Sequence, residues 1–491
     1  MSANEANLSA QELQDQKDVK KFKVLYPLSE FLAGIQKQFF GVYLNFFYTN
    51  VYMFSVTFTA AMTMISNIVS WVVTPVFSAF IDRFKFKKAK FWPWLIFGTV
   101  IVYGIQVLIT ALPALTGKTT QLATFVFILV IMQVLCGPMG SAPVSGAYPR
   151  MGKLPADRQF LAMGQKVGRD GGKTVFGYVV PVLLTAFTAL SGSEMGGYAL
   201  TGLLAGVVTI SGYWLFALVG LKGSYVEREA LAETEKAKAE KVPMSQTVKV
   251  LLSNRPILGI FLHMLFHKSY YFLYTSYAMY QFTYVFGNPA LMGAFFTVFN
   301  LTAIIGVMFG KVYTAIFKDS KRSHVACYIT HMIFLAIIAL FYNKMSATVF
   351  ITVFGFSSFF MGMLENWIMP GFAASADYGA WVSGTRMDSF LMSIYTLSVG
   401  GSLFVTTFVG SAILNSVNYT AFVASGQAAT PEIIAGISML WTWAPLGLAC
   451  LSLLSLLFIY NLNDKRIAAI QADLKEGKTK AKSDIDFASL K

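Results

Sequence analysis

IDRFKFKKAKFWPWLIFGTVIVYGIQVLITAL (residues 81–112) decides the fold. Its first ten residues carry Arg83, Lys85, Lys87, Lys88 and Lys90, whereas Phe91 to Leu112 contain no Asp, Glu, Lys or Arg. An apolar run of that length crosses a bilayer as one helix, because about 20 residues rising 1.5 Å each cover the hydrocarbon core. A helix satisfies its own backbone in lipid. Barrel strands are shorter and alternate polar with apolar residues, which this run does not. The basic cluster before it marks a cytoplasmic loop, since Lys and Arg are retained on that side.

The same pattern extends in both directions. Apolar runs lie near 28–50, 56–81, 93–114, 120–143, 164–190, 197–221, 255–284, 289–315, 325–343, 346–372, 388–415 and 434–460. They predict an all-α membrane protein of twelve transmembrane helices. With 56% hydrophobic and 13% charged residues, the 491-residue chain lacks the charge that a soluble surface of this size needs. Basic residues gather after every second run: Arg150, Lys153 and Arg158, then Lys222 to Lys249, then Lys318, Lys321 and Arg322. Lys118 and Lys344 are the clear exceptions on the other side. Both termini are therefore expected in the cytoplasm. This distribution accounts for the net charge of +14 and argues against nucleic acid as a partner.

Five segments follow: a tail at 1–24, a six-helix half at 25–221, a cytoplasmic connector at 222–254, a second six-helix half at 255–462, and a tail at 463–491. The connector stretch VEREALAETEKAKAEKV is a helix former of mixed charge. Six plus six joined in this way is the layout of the major facilitator fold, in which two halves rock about a site near the midplane. Cys136, Cys327 and Cys450 are far apart, and no metal or cofactor spacing is evident.

Several motifs resemble the glycoside–pentoside–hexuronide cation symporters. GVYLNFFYTNVY (41–52) is similar to that family's first aromatic run, and Pro75 with IDRFKFKKAKFWPW (81–94) to its second-to-third-span signature. Cys136-Gly-Pro138-Met-Gly140-Ser resembles its Asn-Ile-Pro-Tyr-Gly-Ala. ADRQFL (156–161), NRPIL (254–258) and ADYGAWVSGTRMDSFLMS (376–393) match further stations, the last being the most specific. The resemblance implies a secondary carrier in the bacterial cytoplasmic membrane, monomeric, with a small-molecule solute and a coupling ion. It also implies charge pairs at helix ends, Asp82 with Arg83 and Asp377 with Arg386, that hold one closed state and break in the other. Plain headgroup anchors are the alternative for the neighbouring lysines.

The sequence departs from the family where cations bind. Carboxylates of the family's first, second and fourth spans correspond to Gln38, Ser70, Thr74 and Cys136, and its eleventh-span residues to Tyr395, Thr396 and Gly400. A hard cation needs oxygen ligands, so sodium coupling is disfavoured, and a proton carrier, uniporter or exchanger fits better. Gln38, Ser70 and Thr74 either bind a sugar by neutral hydrogen bonds or pack helices.

Ionisable residues within membrane runs are costly and so usually functional. Lys37 lies midway along the first run with no acid at i±3 or i±4, and is expected to face a central cavity. Lys166, Arg169 and Lys173 share one helical face, as substrate ligands or as snorkelling cations. His263 and His267 are candidate proton acceptors or helix–helix hydrogen-bonding groups; a metal site would want further ligands nearby. Tyr270, Tyr274 and Tyr277 suit either stacking on a ring or an interface stripe. Glu30 and Glu365 are the acids able to partner Lys37, Arg169 or Lys268. Bases outnumber acids in these runs, which leans towards an anionic solute such as a hexuronide. A transporter-like sensor or scaffold and an integral-membrane enzyme are the competing classes; no clustered acids, histidines or nucleophile at a membrane face favour the enzyme.

Overall fold

The computed structural model describes residues 10–83, 86, 89–152, 155–234, 254–383 and 388–480. The chain divides into two compact units, Met1–Ala239 with Val423–Ser425, and Glu240–Phe422 with Gly426–Lys491. Among the described residues, ten helices are long and apolar enough to cross a membrane. The runs at 28–50 and 255–284 are helical as well, yet fall short of that standard because they carry the polar residues discussed below. Large apolar side chains such as Phe97, Val72 and Met308 lie on the outside, as contact with lipid rather than water permits.

The first unit runs α1 (Ala10–Leu32), α2 (Gly34–Phe46), α3 (Val56–Arg83), α4 (Trp92–Thr116), α5 (Ala123–Met151), α6 (Pro155–Ser191), α7 (Glu194–Leu215) and α8 (Tyr225–Thr234). Helix α4 packs between α5 and α7, and α6 lies along α1 and α2. The last contact is backbone on backbone. Gly164, Gly168 and Gly172 form a stripe at i, i+4 and i+8 on α6 that faces Pro27, Phe31 and Gly34. A methyl group on Gly34 would lie 2.6 Å from the Gly172 carbonyl carbon, and one on Gly164 2.7 Å from Pro27 Cγ. At Gly168 it would overlap the Pro27 carbonyl oxygen.

The second unit runs α9 (Arg255–Ser276), α10 (Leu291–Phe317), α11 (Ser320–Phe341), α12 (Ala347–Ser383), α13 (Asp388–Ser416), α14 (Tyr419–Ser425, apart from its last three residues), α15 (Pro431–Met439), α16 (Trp443–Leu454) and α17 (Asp464–Lys475). Asn254, Asp319, Thr430 and Asn463 cap the N-termini of α9, α11, α15 and α17 with their side-chain oxygens. Helix α9 packs on α13 and α16, and α10 on α12.

The two units repeat two devices. Wide π-helical turns finish the first and last membrane runs of each: Phe47–Val51 and Phe216–Leu221 in one, Gln281–Val285 and Ser455–Ile459 in the other. A short charged helix then follows and locks onto the start of a membrane helix. In the first unit, Glu227 of α8 accepts the backbone N–H groups of Lys90, Phe91 and Trp92 at 2.6, 2.9 and 2.8 Å, closing the open N-terminus of α4. In the second, Asp464 at the start of α17 accepts from Ser320 N (2.9 Å) and Oγ (3.1 Å) at the start of α11, while Asp319 accepts from Asp464 N (3.0 Å).

Glu227→Ala should cost about 2–3 kcal/mol, since it leaves two buried backbone donors and one part-buried donor without a charged acceptor. Gly168→Val should separate α1 from α6 and lower the melting temperature of purified protein more than Gly41→Val, where a Cβ meets nothing within 4 Å. Thermal unfolding followed by tryptophan fluorescence reads both, and an unchanged transition in either variant contradicts the assignment.

Candidate functional site

Among the described residues, each unit holds a polar cluster on its membrane helices that is built around a carboxylate. In the first unit Glu30 sits near the end of α1, only 5% exposed. Its Oε2 receives Lys37 Nζ at 2.8 Å and lies 3.5 Å from Arg169 Nε. The partner of Lys37 is thus seven residues back, across the break at Ala33 that separates α1 from α2. Spacing within one helix could not reveal it, and the acid that the i±3 and i±4 positions lack is supplied two turns away. Arg169 reaches Glu30 because the glycine stripe brings α6 against α1. Lys173, one turn on, adds a third cation within electrostatic reach of Lys37, while Lys166 is exposed. Both Lys37 and Arg169 keep about a third or more of their side chains open, at 34% and 41%.

In the second unit Glu365 of α12 pairs with Lys268 of α9, and His267 Nε2 stands 3.8 Å from the same carboxylate oxygen. Lys268 also lies over the Tyr271 ring at 5.3 Å. His267 Nδ1 is 2.6 Å from the Tyr270 hydroxyl, and Tyr328 OH lies 3.4 Å further on. The aromatic face of α9 turns inward. Tyr274 is fully buried against Phe354 and Trp441, so in this conformation it packs helices rather than facing an open site. No group of three or more His, Cys, Asp or Glu residues is arranged to hold a metal ion among the described residues.

The other expected positions are more scattered. Gln38 is buried, with an amide nitrogen that finds no partner. Ser70 and Cys136 are half-buried and Thr74 is exposed. Gly140 is half-buried in α5, where a Cβ would meet the Thr99 methyl at 3.9 Å. Tyr395 packs edge-on against Phe372. Asp377 accepts a hydrogen bond from Gln471 of α17 at 3.0 Å. The side chains of Asp82, Arg83 and Thr396, and Arg386 altogether, lie outside the described residues. Reading by spacing passed over His324, His331, Glu227 and Asp464; the acid three residues into a charged helix that follows a membrane run was the available signal for Glu227.

The family comparison agrees with this architecture. Residues 25–464 match the MFS/sugar transport protein family, and the chain belongs to it. It is a multi-pass secondary transporter of the major facilitator type, related to the glycoside–pentoside–hexuronide symporters. An isoprimeverose transporter of Lactiplantibacillus pentosus is 23% identical over 92% of this chain and 90% of its own. A putative sulfoquinovose importer of Escherichia coli is 24% identical over 80% of each chain. Among solved structures, a mutant of the nucleoside transporter NupG superposes with a TM-score of 0.62 at 10% identity, covering 89% of this chain and 100% of that one, a likeness of fold alone.

Glu30→Gln should destabilise the protein more than Lys37→Ala. The first leaves Lys37 and Arg169 facing each other without a counter-charge, and the second leaves Glu30 paired with Arg169. Partial exposure of both cations limits the difference to about 1–2 kcal/mol. Thermal unfolding in one detergent orders the variants, and the reverse order refutes the pairing.

Proposed function

We propose that this chain carries an anionic glycoside across the bacterial cytoplasmic membrane by alternating access, coupled to protons rather than sodium. One observation carries the anionic reading: a single carboxylate, Glu30, serves both Lys37 and Arg169, with Lys173 close by. Asp170 follows Arg169 directly, about 100° around the helix, and so lies off that face. The cluster therefore carries surplus positive charge that a solute carboxylate or sulfonate can neutralise, and a bidentate guanidinium suits either oxyanion. The names of the two relatives, one for isoprimeverose and one for sulfoquinovose, support a glycoside.

The ion preference follows from what replaces the family's carboxylates. Ser70, Thr74 and Cys136 offer neutral or soft ligands, poorly matched to sodium. Glu30 and Glu365 are each engaged by cations, which leaves neither free to gather the several oxygen ligands that sodium wants. In this reading the basic loops and both termini face the cytoplasm, and the carrier acts as a monomer.

Thermal shift on full-length purified protein, with hexuronide disaccharides and neutral disaccharides side by side, tests the solute class. A hexuronide at about 100 times its Kd stabilises by about 2.7 kcal/mol. Lys37→Ala should abolish that shift, and uptake into proteoliposomes should respond to a pH gradient and not to a sodium gradient. Stabilisation by neutral sugars alone, or uptake driven by sodium, rejects the proposal.

A further inference from the structure

The chain has four histidines, and all four are buried in the second unit: His263 and His267 on α9, His324 and His331 on α11. They form one assembly. His263 lies 5.9 Å from His267, nearly parallel, and 4.6 Å from His324, edge-on. His331 stacks on Tyr270 at 5.5 Å, and Tyr270 holds His267. Chance burial of four imidazoles side by side is costly, because each needs partners for two nitrogens.

Those partners exist on one side of the rings and not on the other. His331 Nδ1 is 2.9 Å from the Ser357 carbonyl oxygen, so it is the protonated nitrogen. Ser452 Oγ donates to the His263 carbonyl at 2.9 Å and so can accept from His263 Nδ1, also at 2.9 Å. Both rings are thereby fixed as tautomers with a bare Nε2. The Nε2 atoms of all four histidines are buried without a hydrogen-bond partner. An orphaned buried acceptor costs about 1–3 kcal/mol, which a packing role does not explain.

The assembly has two ends. At one, His267 Nε2 faces the Glu365–Lys268 pair. At the other, His324 lines a cavity of about 320 Å³ with Lys321, Asp377 and Asp464, and stacks on Trp367 at 5.6 Å. This cavity opens beside α17 and the start of α11, the charged end of the unit. A line of exchangeable ring nitrogens therefore joins this cavity, with its Lys321, Asp377 and Asp464, to the buried ion pair.

We infer that His324, His263 and His267 form a proton route between that cavity and Glu365, with His331, Tyr270 and Tyr328 holding the rings in place. This rests on the proton-coupled reading above, and not on the identity of the solute. A proton taken up on His324 Nε2 passes to the bare Nε2 of His263 and then to that of His267; His263 and His267 each accept and release it through that one nitrogen while Nδ1 keeps its partner, so every ring returns to its neutral form. It ends on a Glu365 oxygen; the carboxylate becomes a carboxylic acid and releases Lys268, which keeps its own charge. Charged and titratable groups facing the route from the packed helices are Lys268 and Tyr271 on α9, Tyr328 on α11, Glu365 on α12, Tyr395 on α13 and Cys450 on α16. Lys268 repels an imidazolium at His267 and Glu365 attracts it, so the pair sets when the proton moves.

Since no other histidine exists, 15N-histidine labelling of the full-length protein in nanodiscs reports this assembly alone. Without any solute, acidification should convert at least one imidazole from neutral to imidazolium while the protein remains folded. Glu365→Gln should lower its midpoint by about one unit through loss of the counter-charge. His324→Gln should leave that midpoint within a few tenths, yet slow proton exchange at His263 and His267 by about a hundredfold, the scale of a removed transfer group. Four rings that stay neutral throughout in the wild type overturn the inference whatever the variants do. So does unaltered exchange in folded His324→Gln. Failure of every glycoside to bind leaves these titrations readable, so the solute proposal and the proton route stand or fall separately.

Discussion

A carboxylate inside a membrane must be neutralised, and the polar chemistry of both units is organised by that requirement. Glu30 is answered by Lys37 and Arg169, Glu365 by Lys268 and His267. In neither case does one helix hold the whole set: the first cluster spans α1, α2 and α6, and the second α9 and α12. Desolvation makes each ion costly alone, so separating these helices leaves an unpaired charge in a poor solvent. The ion pairs therefore restrict which helix displacements are inexpensive. A carboxylate that serves two cations also has a way to move, because it can give up one partner while keeping the other.

The repeated lock at the end of each unit is a second constraint of the same kind, placed at the charged rim. Helices α8 and α17 each present an acid to the start of a membrane helix, Glu227 to α4 and Asp464 to α11. The chemistry matches although the sequences around the two acids do not: an anion is held at a helix N-terminus, where unsatisfied N–H groups collect. The wide turns at 216–221 and 455–459 lead into both short helices. Internal repetition of this sort fits a fold built from two related halves.

Much of this was legible in the residues. Long apolar runs and alternating basic loops fix class and order of helices, because length and charge are properties of the chain rather than of its packing. Lys37, Arg169, His267 and Glu365 stand out for the same reason: an ionisable group in an apolar run is conspicuous. Glu30 and Glu365 were legible as candidate partners, but which acid meets which base was not. Lys37 meets Glu30 across a break at Ala33, and Arg169 arrives only because three glycines let two backbones touch. His324 and His331 escaped notice, since rings brought together from α9 and α11 share no periodicity in sequence. Tyr274, whose helical spacing suited either a ring ligand or an interface stripe, packs here with Phe354 and Trp441.

The seam between α1 and α6 has a consequence for how this chain tolerates change. On the lipid side, Val, Leu, Ile and Phe can replace one another at little cost, because acyl chains adapt to any of them. Along Gly164, Gly168 and Gly172 there is no such latitude: even a single carbon has nowhere to go. Substitutions accumulating at random should therefore be absorbed by the greasy exterior, while this narrow line behaves as an all-or-nothing position for every amino acid but one.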